Sequence, residues 1–586
     1  MARRSLFRGT RTAGIAISQL VFAIILFRSY DHRGRQALWR PLMTVTEVAP
    51  RRKRRTRQEL REEVLQEGVA LLAEKGVSVK PSSLTFPKVF ERIQQRTGRK
   101  IVPAMVYERI WANQEEYQWD VLATFIARNN DAEIETVELV QSFIGDSDRS
   151  TREACERVYY DVMRLGTVIN LDDKYLINSW AAVAIAHHSM RNATSNTLDR
   201  VAVELKRVFD KQSVLYGAMY MWAIENLGLR IREPYSLDHY VNIVGSAGEG
   251  CEIRRDYDSR YSEAMTIAVE PEVEPADWTI FGLVLWAMSR SMVEVDPDFE
   301  FGNPTTPFPV DAKQFWERSL PRNPSAELPT ELKPEPNAKP KRRTRSQLRD
   351  EVLVEGLTLL EEEGLSVKLD HLTLPAVFDR IEEKTGRRIV PAMVYERIWR
   401  SQTDYQWDVL RSFISGKTQS SSKIDEFASS RSEQVDRSTN ERRRVLYSDL
   451  LRLGSLASFE DDSYPVNTLA AVALMSTRNE GLPGELAAVK LGFEEFYRQR
   501  RAFSEATFAS CFAKAGYRVR EPFTLGIFTD CAGAIAEGLF LRRSYDERYS
   551  TLHRLKLEGD DHEHDWSLYG IALAALADAM LEPDPH

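Results

Sequence analysis

Apolar residues near the start of the chain recur at the spacing of an amphipathic helix. Between positions 60 and 72, leucine and valine fall repeatedly on one helical face, and Gly76 stands where a glycine ends such a helix. Thr85 and Pro87 then mark the start of a second helix, because threonine caps helices and proline fits their first turn. Gly98 ends that helix. The pattern predicts two short helices joined by a turn.

The helical pattern continues beyond this pair. Pro103 opens a third helix that reaches about Trp111, and a longer amphipathic helix follows from Glu115. Further along, residues 180–186 are too apolar for a surface helix and predict a buried one. No segment alternates apolar and polar residues long enough to demand a sheet. The chain is therefore predicted to be all-α.

The whole pattern occurs twice, with an offset of 288 residues. Residues 102–111 read VPAMVYERIW, and residues 390–399 repeat the same letters. Residues 54–80 match residues 342–368 closely, and the offset also holds far downstream. Since packing tolerates many exchanges among apolar residues, near-identity in a polar, basic stretch indicates a functional surface.

Charge is distributed unevenly over the two copies. The chain has a net charge of −8, yet residues 51–111 carry fifteen Lys and Arg against seven Asp and Glu. The matching residues 339–399 carry twelve against eleven, so the second copy is much less basic. A basic surface on an acidic body is typical of a protein that binds a polyanion through one face.

The N-terminus resembles a targeting segment without completing one. Arginines precede an apolar run from Ala13 to Phe27, which is shorter than the roughly 20 residues of a membrane span. No small-residue cleavage site follows it. Because Met43 opens a segment typical of the start of this unit, we expect translation to begin there and residues 1–42 to be a start-site artefact. A membrane anchor is the alternative.

Patterns of catalysis and metal binding are missing from the sequence. There is no glycine-rich phosphate loop, no GxSxG and no HExxH, so neither an enzyme nor a cofactor is predicted. The four cysteines lack CxxC spacing, which indicates reduced thiols in a cytoplasmic protein. Residues 561–565 read DHEHD, but the first copy keeps only Asp277 of this group. We interpret the segment as an acidic loop and predict no metal site.

Three short helices behind a basic segment describe a helix-turn-helix domain. In such a domain the third helix enters the major groove, and flanking cations contact phosphates. Arg99 and Lys100 directly precede the third helix, whereas Tyr107 and Arg109 lie on it. The sequence therefore predicts binding to double-stranded DNA.

Residues 51–122 resemble the DNA-binding domain of the tetracycline-repressor (TetR) family of bacterial transcriptional regulators, and residues 339–410 share the pattern. The resemblance is carried by the RRTR opening, the first helix LREEVLQEGVALLAEKG, the MVYERI core and the following helix EEYQWDVL. The MVYERI core is similar to the family's Tyr-x-x-Phe recognition helix. The resemblance implies that each helix-turn-helix domain is followed by a larger helical domain for ligand binding and dimerisation.

The chain departs from the family's pattern at several positions. Ile110 replaces the family's common Phe, and Gln114 and Gln402 replace the usual Lys in the loop after the recognition helix. Val102 and Met105 stand where the family has small or polar residues. Since few polar groups remain for reading bases, contacts to the DNA backbone are expected to dominate.

The duplication and the resemblance together predict two tandem units. The predicted parts are an N-terminal extension (1–50), a first helix-turn-helix domain (51–122), a first helical regulatory domain (123–300), a linker with nine prolines between Gly302 and Pro340 (301–340), a second helix-turn-helix domain (341–410), a Ser-rich flexible segment (411–440) and a second helical regulatory domain (441–586). Each helix-turn-helix domain is called a head below.

The residues predicted to contact DNA lie at equivalent places in the two heads. They are Arg54, Arg55, Arg57, Arg99, Lys100, Met105, Tyr107 and Arg109 in the first head, and Arg343, Arg345, Arg387, Arg388, Met393, Tyr395 and Arg397 in the second. Tyr107 and Tyr395 resemble the family's phosphate-contacting tyrosine, and packing on the first helix is the alternative. For the cations, solvated surface charge is the alternative.

Aromatic residues divide into two expected groups. Tryptophans expected in the core of the heads are Trp111, Trp119, Trp399 and Trp407. Aromatic residues that could line an apolar cavity of the first regulatory domain, with plain core packing as the alternative, are Tyr159, Tyr160, Trp180, Tyr216, Tyr220 and Trp222.

The functional hypothesis is a DNA-binding transcriptional regulator whose two repeats pair within one chain. Two heads would then reach successive major grooves, about 34 Å apart. A small apolar effector of the regulatory domain would change their separation and release the DNA. Higher oligomers are left open. A helical scaffold that keeps the fold but binds protein partners is the alternative, and a helical enzyme or a sensor without DNA output is a weaker one.

Overall fold

The structure is a computed structural model. It describes residues 56–75, 84–169, 198–311, 344–363, 372–414, 439–459 and 484–585, apart from residues 104–105, 107–109, 115, 119, 122–123, 125–130, 256–257, 272, 303, 392–393, 395–397, 544–545 and 558–561. Several predicted features therefore lie outside the described residues. They are the apolar run at residues 13–27, Met43, the predicted buried helix at residues 180–186, most of the linker at residues 301–340 and most of the Ser-rich segment at residues 411–440. Among the helices that are described, none is both long and apolar enough to cross a bilayer.

The described chain is mostly helical, as predicted, and its helices repeat with the offset of the sequence. Helices of the first repeat are α1 (Arg57–Lys75), α2 (Phe86–Thr97), α3 (Asp131–Asp146), α4 (Arg152–Ile169), α5 (Leu198–Asn226), α6 (Leu237–Arg255) and α7 (Ile280–Met292). Helices of the second repeat are α8 (Arg345–Glu363), α9 (Leu374–Thr385), α10 (Gln402–Ile414), α11 (Asn440–Phe459), α12 (Gly484–Ala515), α13 (Leu525–Arg543) and α14 (Leu568–Met580).

Short strands also occur, which the sequence did not predict. They are β1 (Leu229–Ile231), β2 (Met265–Ile267), β3 (Ala276–Trp278), β4 (Val293–Val295), β5 (Tyr517–Val519), β6 (His553–Leu555), β7 (His564–Trp566) and β8 (Leu581–Pro583). They form the antiparallel pairs β1–β4, β2–β3, β5–β8 and β6–β7, with Leu229 opposite Val295 in the first pair. Strands of three residues are too short to show alternation. The interpretation of residues 561–565 as a loop was wrong at His564, where β7 begins.

The predicted boundaries of the second helix of each head are confirmed. In the second head the Thr373 hydroxyl accepts a hydrogen bond from the Ala376 amide at 3.3 Å and caps α9. Gly98 and Gly386 end α2 and α9 with φ of 65° and 66°, a left-handed conformation that glycine adopts without strain. The buried residues Phe86, Val89, Phe90 and Ile93 lie on one face of α2.

The larger helices of both repeats share one apolar core. This core contains buried residues of α4 to α7 together with residues of α11 to α14. Helices α6 and α13 occupy equivalent positions in the two repeats and pack against each other. The two repeats are therefore joined by buried contacts between the helices that follow the heads.

Candidate nucleic-acid interface

A buried glutamate fixes the first two helices of each head to each other. Glu67 on α1 accepts hydrogen bonds from Arg92 Nε at 2.8 Å and from Arg96 Nε at 2.9 Å, both on α2. In the second head Glu355 accepts from Arg380 Nε and Lys384 Nζ, each at 2.8 Å. Charge-assisted bonds of this kind hold the helices at one angle. They also occupy these cations, which leaves them poorly suited to bind phosphate.

Two tryptophans anchor the segment that follows α2 and α9. Trp111 is 2% exposed, and its Nε1 donates to Asp120 Oδ2 at 2.8 Å. Trp399 is 5% exposed, and its Nε1 donates to Asp408 Oδ2 at the same distance. The expectation that these two rings belong to the core is confirmed. The side chains of Trp119 and Trp407 lie outside the described part of the chain.

The glutamines at the expected lysine positions have a structural role. Gln402 Oε1 accepts from the Leu374 amide at 2.9 Å, and Gln402 Nε2 donates to the Leu372 carbonyl at 2.8 Å. Gln114 Oε1 likewise accepts from the Phe86 amide at 3.4 Å. These bonds satisfy backbone groups at the N-terminus of α2 and α9. A single sequence gives little signal of this, because the bonded positions are 28 residues apart.

The backbone of the cations that follow α2 and α9 is held by neighbouring residues along the chain. In the first head Arg99 and Lys100 lie between Gly98, which ends α2, and the buried Ile101. The Arg99 amide donates to Thr97 Oγ1 at 3.2 Å. The second head repeats this arrangement, and its Arg387 amide donates to Thr385 Oγ1 at 3.3 Å. The backbone that carries these cations is therefore fixed in the same way in both heads.

These cations differ in their partners from the basic residues that bind Glu67 and Glu355. Six predicted DNA contacts are described, and within the described residues none of their side chains forms a salt bridge: Arg57, Arg99, Lys100, Arg345, Arg387 and Arg388. An exposed valine follows each pair of adjacent cations along the chain. Val102, two residues after Lys100, is 54% exposed, and Val390, two residues after Arg388, is 55% exposed. The same combination of available cations and an exposed apolar side chain thus occurs in both heads.

Nine of the predicted DNA-contact residues lie outside the described part of the chain. They are Arg54, Arg55, Met105, Tyr107, Arg109, Arg343, Met393, Tyr395 and Arg397. Their role in DNA contact stays a prediction from the sequence.

Two buried ion pairs join the repeats through α6 and α13. Arg542 Nε donates to Glu249 Oε2 at 2.8 Å, and Arg254 Nη2 lies 3.1 Å from Glu537 Oε2. Glu249 and Glu537 are 288 positions apart, as are Arg254 and Arg542. The contacts are therefore reciprocal, which is the geometry of a two-fold symmetric dimer interface. Buried pairs of this kind are costly to break on one side, at about 3–5 kcal/mol.

Close backbone approach between α6 and α13 depends on two glycines. A Cβ atom at Gly250 would overlap the carbonyl of Ala534, and one at Gly538 would overlap the carbonyl of Ser246. These contacts are again reciprocal, because Ser246 and Ala534 are equivalent positions. Glycine is therefore required at both places for the helices to pack as they do.

The sequence analysis missed these residues, although it contains a signal for them. Residues 249–255 read EGCEIRR and residues 537–543 read EGLFLRR, so an EGxxxRR pattern recurs with the repeat offset. Charged residues at fixed places in otherwise apolar helices rarely lie in a core unless they are paired. A search for this recurrence would have found the interface.

A pair of histidines departs from the symmetry of this interface. His239 Nε2 lies 3.0 Å from His553 Nδ1, and the Ser236 amide donates to His239 Nδ1 at 3.2 Å. The equivalent positions are Ile527 and Met265. Burial and the neighbouring His553 lower the pKa of His239 to about 4.

The histidine pair should make stability depend on pH. In the unfolded chain a histidine binds a proton near pH 6.5, whereas folded His239 resists protonation until about pH 4. The contribution of His239 to the free energy of unfolding should therefore have its full value above pH 6.5. It should decrease towards pH 4, by about 1.4 kcal/mol per pH unit for each proton that the unfolded chain binds and the folded chain does not. We expect urea midpoints of the His239→Ile, His553→Met variant to fall less over this range. Equal slopes in variant and wild type would contradict the assignment. Above about pH 7 the titration of His239 should no longer change the stability of the wild-type protein.

A cavity of about 100 Å³ lies in the first regulatory domain. Of the aromatic residues expected there, Tyr159, Tyr216 and Tyr220 line it. Tyr160 and Trp222 are not part of the lining and pack in the apolar core, which was the alternative interpretation of these residues, and Trp180 lies outside the described residues. The Trp222 indole instead donates to the Thr306 carbonyl at 2.8 Å.

The described part of the chain contains neither a candidate metal site nor a disulfide. No group of three or more His, Cys, Asp or Glu residues in the described part of the chain could hold a metal ion. The four cysteines, which all lie in that part, are buried and form no disulfide.

Comparison with protein-family models, with curated proteins and with solved structures finds no match to this chain. The resemblance to TetR regulators therefore remains a prediction, carried by the residues named above.

Proposed function

We propose that the chain is a DNA-binding regulator that uses two TetR-like heads, held as a pair by the packed regulatory helices of the two repeats. The observation that carries the proposal is the difference among the cations of the heads. Arg92 and Arg96 are bound by a buried glutamate, whereas Arg99 and Lys100 have no acidic partner among the described residues. Available cations at a helix-turn-helix turn are suited to bind phosphates.

Both heads take part in this proposal. The second head is less basic overall, but Arg387 and Arg388 repeat the position of Arg99 and Lys100, and they too form no salt bridge within the described residues. The exposed Val102 and its counterpart in the second head can contact a thymine methyl group in the major groove. Two binding surfaces of one kind favour a target with two half-sites.

The reciprocal contacts of α6 and α13 support pairing of the heads within one chain. TetR-like proteins are expected to reach two half-sites as dimers, so each recognition surface needs a partner at a set distance. A single chain that contains both repeats supplies that partner without association of two molecules. The two buried pairs formed by Glu249, Arg254, Glu537 and Arg542 make this arrangement costly to disrupt on one side.

Binding to duplex DNA at a series of salt concentrations tests the proposal. If several phosphates are contacted, the logarithm of the association constant should fall linearly with the logarithm of salt concentration, by about 0.9 for each contact. Failure to bind duplex DNA at low salt would overturn the proposal. Retention of a protein partner under the same conditions would favour the scaffold alternative.

A further inference from the structure

The cavity of the first regulatory domain has a polar group that the second repeat lacks. Tyr159 and Tyr240 line the cavity, and each hydroxyl lies 2.9 Å from Ser289 Oγ. Tyr220 also lines the cavity, and within the described residues its hydroxyl has no hydrogen-bond partner. A hydroxyl on the cavity wall that bonds to no other described protein group is available to form a hydrogen bond with a ligand in the cavity.

The equivalent place in the second repeat keeps one tyrosine, because Tyr447 stands at the position of Tyr159 and its hydroxyl donates to Asp578 Oδ1 at 2.6 Å. The other equivalent positions are apolar. Phe508 stands at the position of Tyr220, Phe528 at that of Tyr240, and Ala577 at that of Ser289. The two phenylalanine rings pack directly on each other, with their centroids 5.1 Å apart. This part of the second repeat therefore offers no hydroxyl cluster to a ligand.

The charges around the cavity are already compensated. Glu249 binds Arg542 of the second repeat, and Glu252 lies 3.0 Å from Arg255 Nη2. Since both carboxylates have a cationic partner, a charged ligand would meet no open counter-charge and would lose its hydration. A neutral molecule is favoured.

The size of the cavity limits the ligand to a small molecule. Its volume of about 100 Å³ is of the order that accommodates a single aromatic ring. The rings of Tyr220 and Tyr240 meet edge to face at 5.4 Å and give the cavity aromatic walls.

We propose that this cavity binds one neutral single-ring molecule with a hydroxyl group, such as a phenol, and that each chain binds only one such molecule. The ring lies among the aromatic walls, and its hydroxyl bonds to Tyr220. Arg542 of the second repeat forms part of the wall, so the ligand touches the ion pair that joins the repeats. Binding itself is independent of the proposed function, and only a role in releasing DNA rests on it.

Calorimetric titration of the full chain with phenol and with toluene tests this proposal in the absence of DNA. Toluene has nearly the same shape as phenol but lacks the hydroxyl. We expect phenol to bind with one molecule per chain. The Tyr220→Phe variant should bind phenol about three- to tenfold more weakly, the effect of one hydrogen bond, and toluene unchanged.

The second repeat provides a matched control. The Phe508→Tyr variant alters the equivalent position and should change neither titration. Two phenol molecules per chain, no binding of phenol, or an equal loss for phenol and toluene in Tyr220→Phe would overturn the proposal. Because DNA is absent, these outcomes leave the proposed function untouched, and a failure to bind duplex DNA would leave this proposal untouched.

Discussion

Replacing Arg99, Lys100, Arg387 and Arg388 together with alanine is expected to weaken binding to duplex DNA about a thousandfold at 0.1 M salt. Each cation lost removes about 0.9 from the slope of binding against salt, so the slope should fall by about 3.6. The loss should be similar for all duplex sequences, because phosphate contacts do not read bases. Fluorescence anisotropy at several salt concentrations measures both quantities.

A control with the same change of net charge separates local contact from general attraction. It replaces four exposed arginines of the regulatory domains that are paired with glutamates: Arg152, Arg230, Arg498 and Arg518. Loss of these arginines should change the slope much less. If both variants lost equal affinity, the cations of the heads would have no special role, and the proposed interface would be wrong.

Replacing Gly250 with alanine is expected to destabilise the protein by about 3 kcal/mol. A helical glycine in open space behaves in the opposite way, since alanine favours the helix by up to about 1 kcal/mol. At Gly250 the added methyl group overlaps the carbonyl of Ala534, which is backbone and cannot rotate away. The overlap can be removed only if α6 and α13 move apart, and this movement strains the flanking Glu249–Arg542 ion pair.

Urea unfolding measures this effect, and two further variants sharpen it. Gly538→Ala makes the reciprocal overlap with Ser246 and should cost a similar amount. Gly145→Ala is the control, because no atom lies within 4 Å of a Cβ placed there. A Gly250→Ala protein as stable as the Gly145→Ala protein would show that the two repeats do not pack through these helices.

The sequence predicted local structure well where the signal was local. Pro87 and Gly98 mark the ends of α2 because a first-turn proline and a left-handed glycine act within one turn of the chain. Thr85 precedes α2 as predicted, but its side chain forms no capping hydrogen bond. The burial of Trp111 and Trp399 also followed from residue type alone. The mostly helical fold was predicted from periodicity, whereas three-residue strands fall below what periodicity can detect.

Contacts between distant residues were not predicted, because composition and spacing contain no information on register between helices. Glu249 and Arg542 are 293 positions apart, and nothing local links them. The ion pairs of Arg92 and Arg96 with the buried Glu67 could not be predicted from the sequence either. As a result, the sequence could name the basic residues of the heads but could not separate those that form ion pairs from those that remain available.

The sequence allowed a cavity lined by Tyr159, Tyr216 and Tyr220, but it did not indicate the hydroxyl cluster at that cavity. Exchanges such as Tyr220 for Phe508 are conservative in shape and hardly alter a helical pattern. Their effect appears only in the folded protein, where the two hydroxyls of Tyr159 and Tyr240 meet at Ser289 Oγ beside Tyr220. The signal in the sequence is the difference in hydroxyl groups between equivalent positions of the two repeats, such as Tyr220 and Phe508.

The most direct test of the central claim is a hydroxyl-radical footprint of one chain on one duplex, with the duplex first enriched from a random pool by binding. Two heads held within one chain should protect two patches about one helical turn apart, at a stoichiometry of one chain per duplex. The Arg99→Ala, Lys100→Ala variant should lose one patch and keep the other. A single patch for the wild-type chain, or a second patch only when a second chain binds, would contradict the account.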